Sequence, residues 1–215
     1  MKRNNQKDFR ISACFLSAFL AWTAAIQCVD VRAIGPQESA VGFAAINQAF
    51  HNLTGVHMTL YNLTDWLSLV PVGFVIGFGA LGFAQWIARK HLLQVDYSIL
   101  VLGGFYIVVM AVYVLFEVLV VNYRPVLIQG ILEVSYPSST TMLVMCIMPT
   151  SIMQLQTRIK NKILRQCVCS VMAVFTVFMV IGRLVSGVHW FTDIIGGALL
   201  SAGLVWMYRS VSRIR

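Results

Sequence analysis

Six long apolar runs, separated by polar and mostly basic breaks, set the pattern of this chain. They fall at Ile11 to Val29, Trp66 to about Ile87, Tyr97 to about Val121, Ser138 to Leu155, Cys167 to Ile181 and Phe191 to Tyr208. Runs near the ~18–20 residues that carry a helix across a bilayer predict membrane spans. In lipid each backbone group must be bonded internally, so isolated spans of this kind are helices. The longest polar stretch, Asp30 to Asp65, is broken early by Gly35-Pro36. Within it Phe43, Ile46, Phe50 and Leu53 recur at helical spacing and predict a short interfacial helix. Pro71 is expected near the entry of the second span, with Gly73, Gly77, Gly79 and Gly82 as close-packing positions. The first run is long for a signal core and is read as a retained anchor. The expectation is an all-α, polytopic membrane six-helix bundle with short external loops, one domain over 1–215.

Composition strengthens this reading. The chain has 59% hydrophobic and 11% charged residues, where soluble domains carry about 25% charged residues. A net charge of +8 would suit nucleic acid, but its placement argues against that partner. Of 16 Lys and Arg, 13 lie in four clusters: Lys2 to Arg10, Arg89-Lys90, Arg158 to Arg165, and Arg209 to Arg215. Each abuts an apolar run, and the basic breaks alternate with others. That is the positive-inside pattern, and it predicts cytoplasmic termini. The chain is read as an integral protein of a bacterial plasma membrane. The sequons at Asn52 and Asn62 would matter only in a eukaryote. Five cysteines without a CxxC or a metal-ligand spacing read as small apolar residues, and neither metal nor cofactor is implied.

The three arginines outside the clusters are Arg32, Arg124 and Arg183. Arg124 and Arg183 fall on the expected outer side, with the hydroxyl-rich stretch Ser138, Ser139, Thr140 and Thr141 and the pair His189 and Asp193. Arginine presents a planar fork matched to phosphate oxygens. Pro137 suits the first turn of a helix, whose free amides at Ser138, Ser139 and Thr140 would face an anion. Gly187 is expected to break the chain, so that Arg183 ends one helix and His189 starts the next. His189 and Asp193 then share a helix face, and a carboxylate accepting one imidazole N–H frees the other nitrogen to attack phosphorus.

Arg124-Pro125, Pro137-Ser138 and Arg183-x5-His189-x3-Asp193 resemble the three signature motifs of the type 2 phosphatidic acid phosphatase superfamily. These membrane lipid-phosphate phosphatases are related to bacterial undecaprenyl-diphosphate phosphatases and, more distantly, to vanadium haloperoxidases. The resemblance implies that His189 becomes a phosphohistidine and Asp193 orients it. Arg124 and Arg183 would hold the phosphoryl oxygens, while Ser138 contributes its hydroxyl and backbone. Two departures stand out. Glu117 occupies the place of the family's lysine, and Pro137-Ser138-Ser139-Thr140 replaces Pro-Ser-Gly-His, removing the family's general acid.

Glu117, close to two helical turns before Arg124, reads first as a structural ion pair with an arginine. Its second reading is a substitute acid, protonated through burial. His51 and His57 read as polar surface residues, and His91 as lying on the wrong membrane face. Three functions fit: hydrolysis of a lipid phosphate or diphosphate, with the diphosphate favoured; phosphoryl transfer to another acceptor; or an inactive relative that binds lipid headgroups or a protein partner. Membrane lipids are partners in each. Substrate identity and oligomeric state stay open.

Overall fold

The computed structural model describes residues 2–213, with side chains from Asn5 onward. Arg215 of the last basic cluster, and the side chains of Lys2 and Arg3 of the first, lie outside the described residues. Eight helices are formed: α1 Lys2–Cys28, α2 Ala44–Thr54, α3 Met58–Leu67, α4 Leu69–Arg89, α5 Tyr97–Val118, α6 Ser139–Arg158, α7 Lys162–Val185 and α8 Phe191–Ser212. A two-stranded antiparallel ribbon, β1 Arg32–Ala33 with β2 Ala40–Val41, turns around Gly35-Pro36.

Helix α1 starts nine residues before the expected span because its polar first turns have partners on α8. Asp8 is buried and paired with Arg213 at 2.8 Å and Arg209 at 3.4 Å. Further along, the Ser12 hydroxyl donates to the Gly203 carbonyl at 2.8 Å, and the Trp22 indole N–H to Thr192 O at 3.1 Å. The two helices therefore run antiparallel over their length. Gly203 permits this approach, since a Cβ there would meet Leu16 at 2.6 Å. Pro71 sits in the first turn of α4, where the missing N–H costs nothing.

Among the described residues five stretches are apolar and long enough to cross a membrane: α1, α3 with α4, α5, α7 and α8. The remaining expected span, the fourth, forms as α6, yet it carries Thr140, Thr141, Thr150, Ser151 and Gln154 among its buried residues. Its neighbours α4, α5, α7 and α8 surround it, so these groups meet protein rather than lipid. The Tyr106 hydroxyl lies 3.3 Å from Ser151 Oγ, and Gln154 donates to Tyr208 Oη at 2.7 Å and Ser98 O at 3.0 Å. Polar groups at membrane depth normally face the bundle interior in this way.

The short helix expected around Phe43 to Leu53 forms as α2; it leaves Ile46 and Leu53 exposed and docks through buried Asn47, whose amide donates to Gly42 O and Thr192 Oγ1. Two other expectations need correction. Gly73, Gly77 and Gly79 on α4 face open space, and only Gly82 of the four is close-packed, against Ile99. Helix α5 stops at Val118 rather than Val121. The following loop folds back on itself, with isolated bridges at Tyr123–Val134 and Ile128–Ile131.

The bundle has two distinct ends. Arg89 and Arg158 share Asp96 at one of them, close to the Asp8 cluster and to Tyr97, whose hydroxyl reaches Val211 O. The ribbon, the α5–α6 loop, α2 and α3 sit at the opposite end, with Arg124, Arg183 and His189.

Candidate active site

The α5–α6 loop brings the first group of residues together by its register. Arg124 N–H donates to Glu133 O at 3.0 Å, and Ser135 N–H to Asn122 O at 3.1 Å. Asn122 and Arg124 therefore lie beside Ser135 and Glu133, just before α6 begins. The second group comes from the α7–α8 junction. Arg183 stands in the last turn of α7, and Gly187 follows with φ 68°. That left-handed conformation favours glycine, and an added Cβ would sit 1.8 Å from Gly55 O. His57 N–H donates to Ser186 O at 2.9 Å, so the loop before α3 is fastened to the same junction. His189 ends up 4% exposed.

Asp193 is fully buried and accepts from three sides. Asn122 Nδ2 donates to Oδ1 at 3.1 Å, while Trp190 N–H, at 2.9 Å, and the Ser135 hydroxyl donate to Oδ2. The His189 imidazole lies between Arg124 and Ser135: Arg124 Nη1 is 3.2 Å from Nε2, and Ser135 Oγ is 3.1 Å from Nδ1. Nδ1 is 3.7 Å from Asp193 Oδ2, beyond hydrogen-bond reach.

Arg183, 2% exposed, donates to Thr140 Oγ1 at 2.6 Å and pairs with Asp65 at 3.0 Å. Arg124 Nε pairs with Glu133 at 3.0 Å. Both guanidiniums lie over the Tyr61 ring, at 5.7 Å for Arg124 and 4.7 Å for Arg183. The two arginines, Glu117, Ser139, Thr140, Asp65 and Glu133 line one cleft of about 570 Å³. His189 lines a recess of about 20 Å³ that shares Tyr113, Glu117, Val134 and Ser139 with that cleft. Two cavities of similar size, about 590 and 510 Å³, run along α4. They contain none of the proposed site residues.

Burial holds the His189 imidazole well below its ordinary range, at about 4, with Arg124 and Arg183 adding to this and Asp193 opposing it. Protonation is disfavoured, so the ring is neutral throughout the physiological range and loses its free lone pair only in acid. An NMR titration of ¹⁵N-labelled His189 in detergent should show a neutral ring from pH 8 to 5 and protonation near 4. A midpoint near 6.5, the ordinary value, would contradict that.

Several sequence expectations change here. His189 precedes α8, and Trp190 occupies the cap position, so His189 and Asp193 do not share a helix face. They meet because the loop folds onto the helix start. Asp193 does not accept directly from the imidazole. Pro137 lies ahead of α6 rather than in its first turn, and Ser138 is the cap residue. The Ser138 amide is not free for an anion, because it donates to Asp193 O at 3.1 Å. Its buried hydroxyl has no hydrogen-bond partner among the described residues, and Ser138 lines neither part of the cleft.

Glu117 makes no ion pair among the described residues, because α5 ends before Arg124 and Glu133 takes that guanidinium. Glu117 instead lines the cleft beside Tyr113, one turn away on α5. His51 is half-buried against Trp190, and His57 bonds Thr54 O; neither lines the cleft. His91 bonds Leu93 N–H at the other end of the bundle.

The sequence assigned no role in the site to Asn122, Ser135, Glu133, Asp65 or Tyr61. Asn122 and Ser135 flank motif residues, which was the available signal. Asp65 and Tyr61 come from a distant helix and carried none.

A model of the PAP2 superfamily matches residues 118–215, from the last residue of α5 through the carboxyl terminus. A crystal structure described as the first transmembrane PAP2 type phosphatidylglycerolphosphate phosphatase from Bacillus subtilis superimposes with a TM-score of 0.63. The two chains are 18% identical over 95% of this chain and 99% of that one. The search of curated proteins returned no match.

Proposed function

We propose that this membrane protein, whose residues 118–215 carry the PAP2 superfamily match, is a lipid phosphate or diphosphate phosphohydrolase working through a phosphohistidine. The observation that carries this is a neutral, buried His189 that Arg124 reaches at 3.2 Å, in a recess beside the cleft that Arg124 and Arg183 line. The two guanidiniums grip the phosphoryl oxygens, and charge developing on those oxygens is met by fixed positive groups. The Nε2 lone pair of His189 forms the N–P bond as the bond from phosphorus to the lipid oxygen breaks. Water then attacks phosphorus, the N–P bond breaks, and inorganic phosphate leaves. The arrangement of basic residues at the far end of the bundle supports a cleft on the extracytoplasmic face.

The missing imidazole at Thr140 favours a diphosphate. A phosphomonoester leaves as a strongly basic alkoxide that needs a proton. A lipid diphosphate leaves as a lipid phosphate, whose second pKa is about 6, and can depart without one. Side-by-side kinetics should give higher kcat/KM for a polyprenyl diphosphate than for phosphatidic acid. Equal or faster turnover of phosphatidic acid refutes the leaving-group argument. The position of Glu117 on the cleft supports it as the remaining proton source, in which case Glu117→Gln should depress monoester turnover selectively. Phosphate release without an added acceptor separates hydrolysis from transfer.

A further inference from the structure

We propose that Ser135 is the positioning residue of the nucleophile, a hydroxyl that stands between His189 and Asp193 and relays the carboxylate to the ring. The proposal rests on the reading of His189 as nucleophile and adds a residue and a direction of bonding to it.

The direction of each bond follows from the partners. Arg124 can only donate, so at 3.2 Å it leaves Nε2 as the acceptor, without a proton. A neutral imidazole then carries its proton on Nδ1. The groups within reach of Nδ1 are Ser135 Oγ at 3.1 Å and Asp193 Oδ2 at 3.7 Å. Only the hydroxyl is at hydrogen-bond distance. Ser135 has one proton to give, and its contact with Asp193 Oδ2 can take it. The ionised carboxylate has only lone pairs to offer. The chain is therefore Nδ1–H to Ser135 Oγ, and Ser135 O–H to Asp193.

Asp193 is in turn fixed by Asn122 and the Trp190 amide, so the serine hydroxyl cannot rotate without leaving a buried carboxylate oxygen short of a donor. Ser135 is itself 2% exposed, and its backbone N–H is tied to Asn122 O. The loop register thus sets the hydroxyl's position.

The relay matters when the N–P bond forms. The imidazole keeps Nδ1–H and becomes positive as Nε2 donates its pair to phosphorus and the lipid oxygen departs with the P–O pair. The Ser135 oxygen, polarised by the carboxylate behind it, meets that charge. No proton needs to move along the chain.

Three forms of the full-length protein in detergent test this: wild type, Ser135→Ala and Ser135→Thr. Wild-type ¹⁵N spectra should show His189 with its proton on Nδ1. Ser135→Ala should lower kcat by about ten- to a hundredfold, the loss expected for one hydrogen bond to a group that gains charge. KM should hardly change, and the ring should lose its single tautomer. Ser135→Thr, which keeps the hydroxyl, should keep the tautomer and most of kcat. Ser135→Ala with wild-type kcat and tautomer overturns the relay, and so does a wild-type ring protonated on Nε2, a measurement that needs no variant to fold. Absence of turnover in the wild type on lipid phosphates would instead defeat the proposed function, while the tautomer would still decide the role of Ser135.

Discussion

His189→Ala is expected to abolish turnover, with a fall of about 10⁴-fold or more, because the proposed covalent intermediate forms on its Nε2. The variant should stay folded. Asp193 keeps its bonds to Asn122, Ser135 and the Trp190 amide, so the start of α8 remains capped. Wild-type enzyme quenched in alkaline denaturant should carry acid-labile, base-stable phosphate during turnover, and the variant none. Full phosphate release by well-folded His189→Ala protein would remove the nucleophile from the account.

Arg183→Ala should reduce kcat/KM by about 10²–10³-fold, the cost of losing one fixed donor to developing negative charge. The physical case for survival of the fold is specific. Its ion-pair partner Asp65 has a side chain 56% exposed, so water can take over that carboxylate. The emptied volume opens onto a cleft already present. Arg183→Lys keeps the charge but loses the planar fork, and activity between those of the wild type and Arg183→Ala is expected. Steady-state kinetics beside thermal unfolding would separate the two effects. A variant with normal kcat/KM would show that Arg183 serves packing against Tyr61 and Thr140 rather than phosphate.

The long helices were legible because lipid imposes a simple rule: apolar runs of the right length, marked at one end by Lys and Arg. Within the site, Arg124, Thr140, Arg183, His189 and Asp193 could be named because each stands in a local pattern. What the chain does not print is which carboxylate meets which arginine. Glu117 looked suited to Arg124 by helical spacing, yet α5 ended at Val118 and the loop register delivered Glu133 instead. Asp65 and Tyr61 reach Arg183 across more than a hundred residues of sequence. Ser135 and Asn122 meet Asp193 only through the folding of a loop, and no periodicity records that. The α4 glycines show the reverse error: a pattern suited to close packing that faces open space.

Helix α6 has a bearing on how the protein is made. Its threonines, Ser151 and Gln154 give it little reason to leave a translocation channel for lipid on its own, since polar side chains at the centre of a span oppose partitioning. Tyr106 of α5 meets Ser151, Tyr208 of α8 meets Gln154 and Arg183 of α7 meets Thr140, and α8 is synthesised last. Stable integration of α6 therefore depends on helices made both before and after it. Because Thr140 rides on the first turn of α6 and Asp193 on the first turn of α8, the same late step that settles α6 in the bilayer also completes the surroundings of His189.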